Sequence, residues 1–353
     1  MAIQTTIFIS TSEEHYSRSS VVFDAFNGSK KLLLLSEKYS SALFELIDFR
    51  RKNKERNYRF VVMSPHHRFT VIIRMLFNQL IVLDAGWPLS DANFTRKSAF
   101  SEIIQVIKNY CVDFVSFHSC HLVLLETNQQ INHVSRKFLV RKTKLVRNFT
   151  SFNEIQFEKC AKAIRSELFP KKINGERWIL FRGKWNLESG LNNLLEAVQF
   201  LDPGIKLVIA TDRELDVLNK ADNVCVISKR LSESEIKFLY EKSDITLGQL
   251  STHARVARTI PHKAFEAAYF GRPYLTTESP AIREFLGPDM SPLFVNNVSP
   301  PAIATLINKV CQNEQLLRGL GHGIRVWYDR LASQTITTTT LESYLENFGS
   351  TEL

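Results

Sequence analysis

Residues 258–271 read RTIPHKAFEAAYFG and continue as RPYLTTESPAIREFLG to residue 287. Pro261 stands where a helix can begin without losing a needed hydrogen bond. The backbone N–H groups of that first turn, at Ile260, His262 and Lys263, can face a phosphate, and the Lys263 ammonium adds a charge. Glu266 lies one turn further on the same face, where a carboxylate can accept hydrogen bonds from a ribose diol. Phosphate at a helix start with a carboxylate close by is what a nucleotide-sugar requires. An ordinary surface helix carrying Glu and Lys has the same spacing.

Outward from this segment, short apolar runs alternate with amphipathic stretches, the pattern of strand–helix–strand units and parallel sheets. Strands are expected at 178–182, 206–210, 224–228, 245–247 and 274–276, with helices at 187–200, 213–220, 233–242 (Ser232 as N-cap) and 261–269. The first half repeats the pattern, with strands at 7–10, 32–35, 60–63, 80–83, 114–117 and 122–125 and helices in SRSSVVFDAF, SSALFELIDFRRK, FTVIIRMLF and 128–138. A chain of 353 residues exceeds what one core usually holds. FPKKINGER, with Pro, Gly and charge, marks the break. The expected organisation is therefore a domain at 1–157, a linker at 158–176, a second domain at 177–330 and a helical tail at 331–353 that crosses back to the first. Two doubly wound Rossmann-like domains would face each other across a cleft at the strand ends, where ligands bind.

Composition removes several classes. With 44% hydrophobic and 23% charged residues the chain is ordinary globular protein rather than disordered. The opening MAIQTTIFIS lacks a basic leader and long apolar run, and no later stretch reaches the roughly 20 apolar residues of a membrane span. Five scattered cysteines, never spaced Cys-x-x-Cys, argue against a zinc or disulfide framework and fit a reducing cytoplasm. Residues 1–155 hold 21 Lys+Arg against 13 Asp+Glu, a balance of +8, whereas the remainder holds 24 against 23. The excess concentrates at 50–59 and 136–147, a face suited either to anionic partners such as lipid headgroups or to plain solvation.

The segment PHKAFEAAYFGRPYLTT resembles the donor-binding segment of the large retaining glycosyltransferase family numbered 4, in the branch with an Ile-Pro-Asn-Lys-x-x-Glu-like motif. That resemblance implies the GT-B fold and a nucleotide-sugar held by the C-terminal domain. Glu266 matches the second carboxylate of the family's Glu-x7-Glu pair; the first falls on Arg258, a departure that the branch shares in having a basic residue there. LFRGKWNLESG is similar to the family's diphosphate-neutralising segment, Gly183 matching its first Gly and Lys184 its Arg; Ser189 replaces its Lys, leaving Arg182 or Arg258 as the second cation. VISKRLSESE resembles the loop that holds the base through main-chain groups near Arg230 and Leu231, and LYEKSDITL resembles the stretch that follows. LDAGWPLSDANFTRK is similar to an Asp-rich acceptor-side loop.

No Asp-x-Asp ends a strand and no His/Asp cluster has metal-ligand spacing, so no metal or other cofactor is expected. Leaving-group charge would then rest on the helix start, Lys184, Lys263 and Arg258. The resemblance implies retention at the anomeric carbon, with UDP the commoner nucleotide and a hexose such as glucose the sugar. Asp84 and the pair His66 and His67 follow apolar strands and are the catalytic candidates, Asp84 orienting or deprotonating the acceptor hydroxyl. Arg18, Asp91 and His118 are the acceptor-side candidates; His121 ranks lower. The partners expected are a nucleotide-sugar, a saccharide or lipid-linked saccharide acceptor in polysaccharide biosynthesis, and an anionic membrane surface, with the protein peripheral at the inner face of the plasma membrane. Nucleic acid is not expected, because neither basic run is interleaved with aromatics. Two alternatives stay open: a nucleotide-sugar epimerase of the same fold, and a non-catalytic basic binding module. No Gly-x-Gly-x-x-Gly follows a strand, which removes a dehydrogenase.

Overall fold

The computed structural model describes residues 5–11, 17–53, 57–93, 100–147, 169–211, 222–334, 341 and 345. The chain divides into two units, Met1–Phe149 with Gln334–Leu353, and Thr150–Ser333. The expected helix at 213–220 and most of the expected linker at 158–176 lie outside the described residues.

In the first unit the strands are β1 Thr5–Ser10, β2 Lys30–Leu34, β3 Tyr58–Val62, β4 Ile81–Gly86, β5 Leu122–Leu125 and β6 Thr143–Leu145. They form one parallel sheet in the order β2-β1-β3-β4-β5-β6. The helices are α1 Ser17–Asp24, α2 Tyr39–Lys52, α3 Phe69–Leu76, α4 Leu89–Asn93, α5 Phe100–Ser119 and α6 Asn128–Phe138. Apolar residues fill both faces, as a parallel sheet covered by helices requires. Along β1, Ile7 and Ile9 join one cluster with Phe60, Val62 and Leu83, while Phe8 joins the other with Val61, Val82 and Leu124. Leu341 and Leu345 belong to that second cluster.

The strand expected at 114–117 is corrected: it is the last full turn of α5. Asp113, Ser116, Phe117 and Cys120 are buried at steps of three, one and three, which is helical spacing. The run VDFVSFH looked strand-like only because apolar residues also occupy the opposite side of the helix.

In the second unit the strands are β7 Arg177–Arg182, β8 Ile205–Thr211, β9 Val224–Ser228, β10 Ile245–Leu247, β11 Tyr274–Thr277 and β12 Phe294–Val295. They too are parallel, in the order β12-β11-β10-β7-β8-β9. The helices are α7 Leu191–Ala197, α8 Glu233–Lys242, α9 His262–Tyr269, α10 Pro280–Phe285, α11 Pro300–Gln312 and α12 Glu314–Gln334. The chain moves from β7 outward through β8 to β9, returns to lay β10 on the other side of β7, and continues to β11 and β12. The order thus reverses between β7 and β10, the switch point at whose crevice, outside the carboxyl ends of the strands, open parallel sheets hold ligands. Two six-stranded parallel sheets with surrounding helices make this the expected α/β, two-domain, Rossmann-like fold.

Two local departures shape the crevice. The helix expected from 187 starts at Leu191, because Ser189 donates its N–H to Asn186 Oδ1 at 2.8 Å and its hydroxyl to Asn186 O at 2.7 Å, holding a turn ahead of it. Gly190 then adopts φ 65°. Pro261 is the N-cap of α9 and not its first helical residue; its carbonyl accepts the Ala264 N–H at 2.8 Å.

The loop leaving β10 is drawn onto the turn before α7: Leu250 N–H donates to Ser189 O at 3.1 Å. A Cβ at Gly190 would lie 1.7 Å from Leu250 O. Gly190→Ala therefore combines left-handed strain with a backbone clash and is expected to lower stability by at least about 2 kcal/mol, read as an earlier urea midpoint.

Candidate functional site

In the second unit, β7 ends with Arg182 at the crevice and β10 ends just before Gly248. A side chain at Gly248 is barred by Thr276 and the Tyr274 ring, 2.4 and 2.7 Å from where its Cβ would stand. This close approach leaves the Gly248 carbonyl accepting from Lys263 Nζ at 2.8 Å. The ammonium also sits 4.2 Å from the centre of the Phe181 ring. Helix α9 turns Ala264, Phe265, Glu266, Ala267 and Ala268 into the interior. Glu266 is consequently 2% exposed.

A carboxylate so buried needs donors, and Glu266 has four. Arg182 reaches it with two nitrogens, Nε to Oε2 at 3.0 Å and a terminal nitrogen to Oε1. The Tyr240 hydroxyl donates to Oε2 at 2.7 Å, and His262 Nδ1 lies 3.1 Å from Oε1. Burial alone would raise the Glu266 carboxyl; the Arg182 charge and then His262 override it and hold it well below the usual carboxylate range. Burial and the adjacent carboxylate push the Tyr240 phenol well above its ordinary value. Burial, then the charge of Arg182, brings Lys263 down to about 7, against the opposing pull of Glu266. The cluster thus pairs a firmly ionised acid with an ammonium poised to titrate near neutrality.

The other donor-side candidates surround this cluster in different ways. Gly183, at φ 145°, donates its N–H to Ala210 O at 3.0 Å, and Lys184 is exposed beside it. Arg258 follows the 3-10 turn Ala254–Ala257 and is half-buried. Arg230 is exposed in the loop after β9, and Leu231 precedes Ser232, whose reciprocal bonds with Glu235 start α8. The Ile260 side chain is core, so only its backbone is available to a ligand. Sequence reasoning missed two residues. Tyr240 stood within a quoted motif but carried no periodic or charge signal. Arg255 ties the 254–257 turn to Glu188 through contacts of 2.9 and 3.1 Å, a pairing across 67 positions that no local pattern reveals.

In the first unit the candidates separate. Asp84 was expected to follow its strand into the cleft, there to orient or deprotonate an acceptor hydroxyl. Instead it lies inside β4, 1% exposed like Arg18, whose Nε donates to Asp84 Oδ1 at 2.8 Å. Arg18 also donates to Val146 O at 2.9 Å, so the pair ties α1, β4 and the end of β6 together. His67 is buried too, with Nδ1 at 3.0 Å from Asp113 Oδ1 and Nε2 at 3.3 Å from Ala85 O. Asp113 in turn accepts the N–H groups of Leu89 and Ser90 at 3.0 and 2.8 Å, which makes His67 part of an interior brace between β4 and α5.

His66 differs. It follows β3, lies 3.3 Å from Thr11 Oγ1 just beyond β1, and remains half-exposed. Strands β1 and β3 adjoin where this sheet reverses its order. Burial, then the charges of Arg68 and His67, lowers His66 to about 4, so its imidazole is neutral at pH 7. Among the acceptor-side candidates, Asp91 is buried with His133 Nε2 at 3.3 Å. His118 sits at the end of α5 that leads into β5, hence at the amino ends of the strands, and meets Phe138 O at 3.0 Å. That position, on the wrong end of a parallel sheet, removes it and the neighbouring His121 from a strand-end site. Arg18, Asp91 and His118 thus meet Asp84, His133 and Phe138 respectively.

Residues 164–327 match the family model of glycosyl transferases group 1. No curated protein matches the sequence. The whole chain is similar in structure to sucrose-phosphate synthase from Thermosynechococcus elongatus, with TM-score 0.73 and 13% identity over 99% of this chain and 100% of that one. It is also similar to Anabaena HepE in complex with UDP-glucose, with TM-score 0.66 and 11% identity over 98% and 99% of the two chains. WaaG, a glycosyltransferase involved in lipopolysaccharide biosynthesis, aligns with TM-score 0.60 and 12% identity over 92% and 95%. At such identities the likeness is one of fold, the GT-B fold. The family that matches the second unit is one of glycosyltransferases.

Removing one partner of a buried ion pair strands the other charge. Asp84→Ala is expected to cost about 3–5 kcal/mol in urea unfolding, whereas Arg18→Met combined with Asp84→Leu should cost clearly less than the two single changes added.

Proposed function

We propose that the chain is a glycosyltransferase that moves a hexose from a nucleotide-sugar, a UDP-sugar such as UDP-glucose, to a saccharide or lipid-linked saccharide. The observation that carries this reading is the Arg182–Glu266–His262–Lys263 cluster at the start of α9, at the strand-order reversal between β7 and β10. It lies within the residues that match the glycosyl transferases group 1 model, and HepE, similar in fold, has been solved with UDP-glucose.

The four donors on Glu266 already use the roughly four lone-pair directions of a carboxylate. A ribose diol can bond there only by displacing a donor. Arg182 is the natural one to leave, because its side chain is 26% exposed while Tyr240 is buried. In this reading the donor drives an exchange: the two ribose hydroxyls take the place of Arg182 on Glu266, and the freed guanidinium turns to the diphosphate. Lys263, protonated as the anion arrives, and Lys184 add charge at the helix start. The departing nucleotide diphosphate is thereby stabilised by side chains and backbone, without a metal. The sugar–phosphate bond breaks as the acceptor oxygen bonds the anomeric carbon on the same face, and a donor phosphate oxygen takes the acceptor proton, with retention. In the first unit, His66 is the histidine candidate that offers a neutral, accessible imidazole to an acceptor hydroxyl. The lipid-linked form of the acceptor, in polysaccharide biosynthesis, would keep the protein peripheral at the inner face of the plasma membrane, which the basic first half favours.

Calorimetric titration without metal tests the donor assignment. UDP is expected to bind in the micromolar range and more tightly than GDP, ADP or CMP. 2′,3′-Dideoxy-UDP should bind about tenfold more weakly than UDP to the wild type, and this difference should vanish in Glu266→Ala. Failure of all four nucleotides to bind the folded protein would overturn the reading.

The lowered Lys263 adds a pH signature. At pH 8 the free protein holds Lys263 mostly neutral, so an anionic diphosphate should draw a proton onto it. UDP affinity is then expected to fall as pH rises above about 7, with proton uptake visible as a dependence of the enthalpy on buffer ionisation. Lys263→Met should abolish the uptake.

A further inference from the structure

Helix α5 carries apolar residues on two sides: Tyr110 and Phe117 face the core, with Cys120 just beyond the helix, and a second set faces out. A surface helix ordinarily buries its large apolar residues and turns its polar ones to water. Here the buried side carries Asp113 and Ser116 beside Phe117, with Asp113 bonded to His67, Leu89 and Ser90 and Ser116 donating to His67 O at 2.8 Å. The outward side carries Ile103, Ile104, Ile107, Phe114 and Val115, each between 42% and 58% exposed. Steps of three, four, seven and eight place Ile104, Ile107, Cys111, Phe114 and Val115 on one stripe, about 17 Å from Ile104 to Val115. Cys111 on that stripe is exposed as well, and Leu139, directly after Phe138, adds a side chain 77% exposed. The His67 brace accounts for the polar residues on the inner side, while the outer apolar residues stay 42–58% exposed.

The charges around the stripe are basic. Lys108 is exposed on α5 itself, Lys137 lies 5.4 Å from the centre of the Tyr110 ring, and Lys142 donates to His118 O at 3.2 Å at the helix end. Arg136 and Arg141 are exposed in the adjoining segment. Aliphatic side chains flanked by lysine and arginine are the arrangement that lies in a membrane interface, the apolar stripe entering the acyl boundary and the cations meeting anionic headgroups. A second copy of the chain fits less well, since a two-fold contact would set Lys108 and Lys137 against the same basic patch. Among the described residues no helix is long and apolar enough to cross a membrane, so the contact would be superficial.

We infer that the outward face of α5, centred on Ile107 and Val115, is the surface by which this protein docks on an anionic lipid bilayer. The inference rests on the part of the functional reading that places the protein at a membrane, and not on its sugar-transfer chemistry.

The test is co-sedimentation of the full chain with phosphatidylcholine vesicles, with and without phosphatidylglycerol, beside the double variant Ile107→Glu, Val115→Glu. Glutamate keeps helix propensity at exposed positions, and an unchanged thermal melt and UDP titration would verify that the variant is folded. The wild type is expected to pellet with the phosphatidylglycerol vesicles, less so as salt is raised, and the variant to lose roughly tenfold or more of that partitioning. Wild type that ignores phosphatidylglycerol vesicles while binding UDP overturns the membrane placement and leaves the transferase reading standing. A variant that pellets like the wild type overturns the assignment to α5 alone. Wild type that is dimeric by ultracentrifugation, becomes monomeric in the variant and binds no vesicles makes a second copy the occupant, and likewise overturns it.

Discussion

A carboxylate taken out of water must be surrounded by donors, and Glu266 collects them from three places in the chain. Arg182 comes from the end of β7, Tyr240 from α8, and His262 from the first turn of the helix that carries Glu266 itself. Meeting that requirement pins α8 and α9 against the central strand of the second sheet. It also draws Lys263 to the Gly248 carbonyl, and Gly248 must be glycine because Thr276 and Tyr274 occupy the space a side chain would need. The loops after β7 and β10, and the helix start between β10 and β11, therefore converge because one buried acid demands it. Under the proposed function, a ribose diol competes for the same Glu266 lone pairs that hold Arg182, Tyr240 and His262.

The first unit meets a similar demand in a different way. Arg18 with Asp84, and His67 with Asp113, are polar braces set into the sheet and its covering helix. Arg18, Asp84 and His67 were read from sequence as chemistry, the last two because they follow apolar strands, whereas Asp113 gave no such signal. Burial turns them into structure: groups with their partners already in place at 1% exposure or less offer little to a substrate. His66, one residue from His67, escapes the same fate because the chain has turned by then toward Thr11 at the strand ends. The His67 brace also has an outward consequence, since spending the inner face of α5 on Asp113 and Ser116 leaves its aliphatic residues facing out.

Much of the fold was legible in local pattern. Period-two and period-3.6 apolar spacing located ten of the strands and α6, α8 and α9 to within a few residues, because each element buries its own side chains in a fixed direction. The reading failed where a helix was apolar on both sides, as in α5, and where a strand was too short to show a period, as in β6 and β12. The cations and glycines around the end of β7 and the start of α9 were legible in the sequence because their identity is tied to backbone geometry and charge. Their partners were not: Arg182 meets Glu266 across 84 positions and Arg255 meets Glu188 across 67, and no spacing rule joins residues that far apart.

The sequence by itself determined that this is a two-sheet α/β chain with a basic first half, and that a helix start bearing Lys263 and Glu266 is its most informative segment. These follow from composition and from short-range periodicity, which act within a few residues of each other. Only the tertiary structure decided that Glu266 is saturated by Arg182, Tyr240 and His262, that Asp84 is an internal anchor, and that α5 turns its apolar stripe outward. Each of those outcomes depends on which side chains are excluded from water together, and that is settled only when distant strands and helices pack.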